Sequence, residues 1–247
     1  MNGEVFNSCI IVASIKQALK SNLELNYKSE KYIKSLVFDF ILGDEPASIN
    51  EWFKHALKLG LSDVRYATNL TVSSEERSLQ GFSNVSYKSI LCIYKDKMSY
   101  LVPHWSFEED KKGWDIVYKE FSLNGMPEIQ KFSDNTLEFK DLLTKIAKFA
   151  DEIECDNFGD CFREGLKALN EPEKIEQNIL NAPLMPKLNL ALFNAASAAD
   201  VFGGMGSWND DAAGWAKRKK RDKEYDELSA ELFTQMHKAT LFAINEW

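Results

Sequence analysis

Apolar positions along the chain recur first with a period near four, then in short unbroken runs, then with a period near four again. Ile11, Val12, Ile15 and Leu19 lie at helical spacing, and Ile33, Leu36, Val37, Phe40 and Ile41 repeat the pattern, so both stretches are expected to be amphipathic helices. A third helix is announced by Ser48 and Glu51, a pair in which the serine side chain accepts from the amide three residues on and the glutamate returns the bond. It carries Trp52, Phe53, Ala56 and Leu57 and should stop at Gly60. Residues 65–84 fit no single period: Tyr66, Leu70 and Val72 suit a strand, whereas Ser74 to Arg77 suit a short helix or an exposed loop.

Four short runs rich in aromatic and branched residues follow, at Tyr87 to Tyr94, Met98 to Trp105, Trp114 to Phe121 and Met126 to Phe132, and they read as strands. Lys95 to Lys97 suits a turn between the first two. Asn124 and Gly125 form the dipeptide whose left-handed conformations favour a tight hairpin between the last two. Ile90 to Ile93 does not alternate, as expected of a central strand covered on both faces. Helices resume near Asn135, with Glu138 as a second reciprocal cap, and Leu142, Leu143, Ile146, Phe149 and Ile153 draw one stripe. Phe162 to Leu169 continues as another, Pro172 interrupts, and Pro183 to Pro186 marks a turn before an alanine-rich helix from Leu188 to about Val201. The last helix, near Lys223 to Asn245, aligns Tyr225, Leu228, Leu232, Met236, Ala239 and Ala243. No internal repeat or low-complexity tract interrupts the order. The expected fold class is therefore α+β, a four-stranded antiparallel meander sheet over about residues 85–132 between an N-terminal and a C-terminal block of helices. A single domain over 1–247 is expected, with sub-blocks 1–132 and 133–247.

Composition narrows the setting. With 247 residues, 45% of them apolar, the chain can bury a core without disulfides or metals. Its net charge of −8 works against binding to nucleic acid or to an anionic membrane and favours a basic or neutral protein partner. The start at Met1 has no basic region before an apolar run, and Cys9 to Ala13 is too short for a secretion signal. Cys9, Cys92, Cys155 and Cys161 are irregularly spaced in apolar or helical stretches, the usage of a reducing compartment, so a cytoplasmic location is expected.

The most distinctive segment for chemistry is Val201 to Asp211, in which Gly203, Gly204 and Gly206 precede Ser207, Trp208, Asn209 and Asp210. Glycines permit backbone shapes that bring amides close to an anion or to a partner's backbone. The segment follows a helix and not a strand, so it fails the context of phosphate-binding loops. Its plainer reading is a helix cap at Gly203 or Gly204 and a turn in which Ser207 or Asn209 caps the next helix. Trp208 beside the glycines plugs a core or anchors an interface. A second candidate is Cys9, near the start of the first helix, with His104 on a strand and Asp115 beyond, the chain order of papain-like thiol hydrolases; the Ile10, Ile11 and Val12 that follow read instead as a buried helix.

Metal binding finds no support. Cys155 and Cys161 lack zinc spacing, Asp156, Asn157 and Asp160 lack the alternation of a calcium loop, and His55 and His237 stand alone. No cofactor motif appears. The basic run Lys217 to Arg221 is followed at once by acids and reads as a solvated helix lead-in, while an open strand edge offers a route to pairing with another protein. The expectation is a non-catalytic protein-binding module, most concretely an immunity-type inhibitor of a basic toxin domain, with a cysteine hydrolase or small-ligand binder as the alternative.

Overall fold

A computed structural model describes residues 1–40, 46–85, 88–175 and 185–247. Ile41, Tyr87 and Pro183, used above to delimit a helix, a strand and a turn, lie outside the described residues. The fold is α+β, with helices α1 (Gly3–Ser21), α2 (Ile49–Lys58), α3 (Ser74–Leu79), α4 (Thr136–Glu152), α5 (Asp156–Asn170), α6 (Lys187–Ala199), α7 (Ala213–Arg218) and α8 (Asp222–Asn245). Strands β1 (Ile33–Asp39), β2 (Leu61–Ala67), β3 (Ser89–Tyr94), β4 (Met98–Glu108) and β5 (Gly113–Leu123) form one sheet in the order β1-β5-β4-β3-β2.

Three of the four expected strands are present as the antiparallel β3-β4-β5 meander. Three changes make the sheet mixed and five-stranded, the first being β2 (Leu61–Ala67), in the region that fitted no single period from residue 65 on, which pairs antiparallel with β3. The stretch from Ile33 read above as a helix is β1, which pairs in parallel with β5 and stacks Phe38 on Tyr118 at 5.1 Å. The apolar spacing at 33, 36, 37 and 40 serves either period, and the seat beside β5 decides it. Met126 to Phe132 does not join the sheet. The Gln130 carbonyl accepts from the Arg65 guanidinium and the Phe132 amide donates to the Glu246 carboxylate, so side chains take the backbone groups that a strand would pair. Gly125 still adopts a left-handed φ of +79°, but the turn releases the chain from the sheet instead of closing a hairpin.

Both faces of the sheet are legible from alternation. Phe38, Val64, Tyr66, Ile90, Leu101, Trp105, Ile116 and Tyr118 are buried under α1 and α2, where Trp52 stacks on Phe38 at 5.3 Å. On the other face Leu91, Tyr100, Val102 and Val117 are half-buried while His104, Lys119 and Phe121 are exposed. Ile93 and Met98, paired on that same face, are buried, so β3 is covered on both faces at this end, as inferred from Ile90 to Ile93, while β4 and β5 are open on the outer side further along. Two asparagines close gaps in the ladder by imitating a strand: Asn245 accepts from the Tyr66 amide and donates to its carbonyl, and Asn84 does the same for Trp105, all at 2.8 Å.

Caps behave unevenly. Ser48 and Glu51 make the expected reciprocal pair, and Ser73 with Glu76 makes another that starts α3. Asn135 does not cap α4; its amide donates to Gln235 of α8, and Asp134 accepts from the Thr136 amide instead. Helices α4, α5, α6 and α8 form the C-terminal block, closed around the alanine face of α6.

Candidate functional site

The glycine-rich segment resolves into an interior half and an exterior half. Trp208 is fully buried at the head of a short π turn, Trp208–Ala212. Its indole donates to Ser229 Oγ at 2.8 Å, its carbonyl accepts from the Tyr225 hydroxyl at 3.0 Å, and Phe158 and Phe162 meet it edge-to-face at 5.5 and 5.3 Å. Of the two roles open to this side chain, plugging a core is the one it fills. The loop amides are also occupied from within: Gly203 N–H donates to Asn209 Oδ1 at 3.3 Å and Gly206 N–H to Asp210 Oδ2 at 2.9 Å. Those two polar side chains hold the turn and leave these amides no vacancy for an anion. Helix α6 ends at Ala199 with Asp200, not a glycine, as its cap, and Ser207 makes no side-chain cap, its buried hydroxyl finding no partner among the described residues.

The exterior half is Met205, which is 99% exposed, next to Gly206 in a left-handed conformation. This loop lies against the loop after α3. A Cβ placed on Gly81 would stand 2.8 Å from the Gly203 Cα, closer than real Cβ atoms approach, so only glycine permits the contact. Phe82 lies over Gly204, where a Cβ would meet its ring at 3.2 Å. Phe82, Val85 and Met205, all exposed, thereby lie on two abutting loops, with exposed Leu79 at the end of α3 where the first loop begins. Asn84, with a left-handed φ of 62°, pins the first loop to β4 and donates its amide to Glu4 of α1. The carboxylate of Glu4 also pairs with Lys88 at 3.3 Å, both side chains at most 2% exposed.

The thiol constellation is not assembled. Helix α1 begins at Gly3 with Asn2 as its cap, which puts Cys9 in the second turn and away from the free amides of the helix start. Cys9 is fully buried and burial raises its thiol pKa well above the ordinary value, against a smaller opposite pull from Lys88. His104 is exposed on the other face of the sheet, so β4 itself separates imidazole and thiol. Asp115 sits on that outer face opposite Ser106 and pairs with Lys111 at 2.5 Å.

Cys155 is buried, Cys161 is half-buried, and among the described residues no group of three or more His, Cys, Asp or Glu side chains is placed to hold a metal ion. No helix among them is long and apolar enough to cross a membrane. In the basic run, Lys219 and Arg221 pair with Glu154 and Glu152. Comparison with family models, with curated proteins and with solved structures finds no match for this chain.

Sequence reasoning named the glycine loop but missed its partner. Nothing in Leu79 to Val85 sets it apart in sequence from any polar loop with apolar residues. The available signal was Met205, a large apolar residue between glycines, where no helical or strand face exists to bury it.

Proposed function

We propose that this protein is a non-catalytic protein-binding module whose contact surface is the platform made by the loop after α3 and the glycine loop. The observation that carries the reading is that Leu79 at the end of α3 and Phe82, Val85 and Met205 on the two loops stand at 42%, 53%, 45% and 99% exposure on a segment pair joined at Gly81 and Gly203. Exposed apolar side chains scattered singly need no explanation, but a cluster on a rigid frame marks an interaction surface. Methionine suits such a surface because its flexible, polarisable side chain adapts to a partner. In its most concrete form the partner is a basic toxin domain held inactive by an immunity-type inhibitor, since a net charge of −8 would draw a basic protein toward this one.

Native mass spectrometry of complexes captured from the producing cells tests this. A stoichiometric partner retained by the wild type and by Leu137→Ser, an exposed apolar change on α4, should be lost from Met205→Glu combined with Phe82→Ser. Equal capture by all three proteins, or no partner with any of them, would count against the reading.

A further inference from the structure

Beside the platform, between the N-terminal turn of α1 and the start of the glycine loop, lies a cleft of about 360 Å³. Gly81 and Ser83 of the first loop and Phe202 of the second line its rim, and Tyr32, Trp105 and Trp114 form an aromatic wall. The rings of that wall touch each other, Tyr32 with Trp105 at 6.5 Å and Trp105 with Trp114 edge-to-face at 5.7 Å. The floor at Gly3 has no side chain: a Cβ there would meet the Tyr32 hydroxyl at 3.4 Å and the Trp105 ring at 3.7 Å.

The charges in the cleft are answered from inside the protein. Glu4 is paired with Lys88 and accepts from the Asn84 amide. Burial raises the pKa of the Asp200 carboxyl, opposed by the nearby Met1 amino group and by the Asn2 amide, which donates to it at 3.1 Å; the Met1 amino group itself donates to the Ser197 carbonyl at 3.0 Å. Burial pushes the Tyr32 hydroxyl above its ordinary pKa, so it stays neutral in the physiological range. A cation or an anion entering here would be desolvated without a free counter-charge, a net penalty. What the cleft leaves over is aromatic surface, on the exposed Tyr32 and the half-buried Trp114. Rings prefer other rings at 4.5–7 Å in tilted or edge-to-face arrangements, and buried aromatic anchors dominate binding at protein interfaces.

We infer that this cleft is an anchor pocket for an uncharged aromatic side chain presented by the protein partner. The inference rests on the protein-binding reading only in naming a side chain as the occupant. In that complex the acidic balance of the whole chain acts at long range, while the anchor itself is neutral, in keeping with the depletion of charge at interface cores.

Three probes of one ring size test the pocket without any partner: benzyl alcohol, benzylamine and benzoate, neutral, cationic and anionic at neutral pH. Saturation-transfer NMR titrations at pH 7.4 should show saturable benzyl alcohol binding at least fivefold tighter than either charged probe. Trp114→Ala should abolish it. Gly3→Ala, which fills the floor at ordinary contact distances and replaces glycine with a better helix former, should weaken it at least twofold without lowering the melting temperature. No saturable benzyl alcohol binding, a charged probe within fivefold, or unchanged binding in both variants would overturn the inference. Partner capture by the platform variants is a separate readout, so the pocket and the protein-binding reading can fail independently.

Discussion

His237 should make this fold acid-sensitive by an amount that can be worked out in advance. The side chain lies on α8 with its ring edge-to-face on Phe233 at 4.0 Å, it is 6% exposed, and its Nδ1 has no hydrogen-bond partner among the described residues. Burial lowers its pKa from 6.5 to about 4; a hydrogen bond to the backbone at Asn69 opposes the shift and the charge of Lys88 adds to it. The unfolded chain therefore takes up a proton below pH 6.5 that the folded chain refuses until about pH 4. Stability is full above 6.5, falls as pH drops through this window, and levels off below it as far as this group is concerned. At roughly 1.4 kcal/mol per unit the whole effect is about 3 kcal/mol, of which about 2.5 kcal/mol is lost by pH 4.5. His237→Gln stays neutral throughout and should remove this component while leaving the carboxylates to titrate as before. Urea unfolding followed by tryptophan fluorescence at pH 7.5 and 4.5, in wild type and variant, gives the comparison. If the two proteins lose the same stability between these pH values to within about 0.5 kcal/mol, the buried neutral imidazole is not the cause and the reasoning fails.

Trp208→Ala should destabilise by about 3–5 kcal/mol in urea melts, because it empties a site walled by Phe149, Phe158, Phe162 and Tyr225 and orphans Ser229. Trp208→Phe keeps a ring and should cost clearly less. Lys88→Met leaves the buried Glu4 carboxylate without its ion-pair partner and should cost about 3–5 kcal/mol, while Lys88→Met with Glu4→Gln should cost less than the sum of the single changes in a double-mutant cycle. Gly81→Ala should force the two platform loops apart against Gly203 backbone and cost about 1–3 kcal/mol, read as a fall in melting temperature. Iodoacetamide should alkylate half-buried Cys161 first in the folded protein, with Cys9 and Cys92 slow until unfolding; mass spectrometry showing Cys9 among the first would revive the thiol chemistry.

What the sequence made legible follows from how local each decision is. The cap at Ser48 is settled by a side chain and an amide three residues apart, and the stripe of α4 by its own spacing, so both read correctly. β1 was decided by β5, some eighty residues away, and no window around Ile33 contains that fact. The same holds for Met126 to Phe132, whose strand-like composition loses to Arg65 and Glu246. Asn84 and Asn245 are harder still, since each substitutes for a missing strand through one side chain and looks in sequence like any loop or helix-end asparagine.

The candidate site divides along the same line. Three glycines within four residues announce a backbone held in an unusual shape, and that much is local. Whether Trp208 faces in or out depends on Ser229, Tyr225 and three phenylalanines from α4 and α5, and the burial of its indole is what moves the exposed chemistry of the loop onto Met205. The platform is therefore a consequence of the core. With Trp208 locked inside, Asn209 and Asp210 tie down the loop amides, and Gly203 comes close enough to Gly81 to join two loops into one surface. On this account Trp208→Phe, if it folds with the ring still seated, should leave partner capture intact, whereas Gly81→Ala should impair it although Gly81 contributes no side chain. That pair of outcomes separates a surface built by loop geometry from one carried by the tryptophan itself.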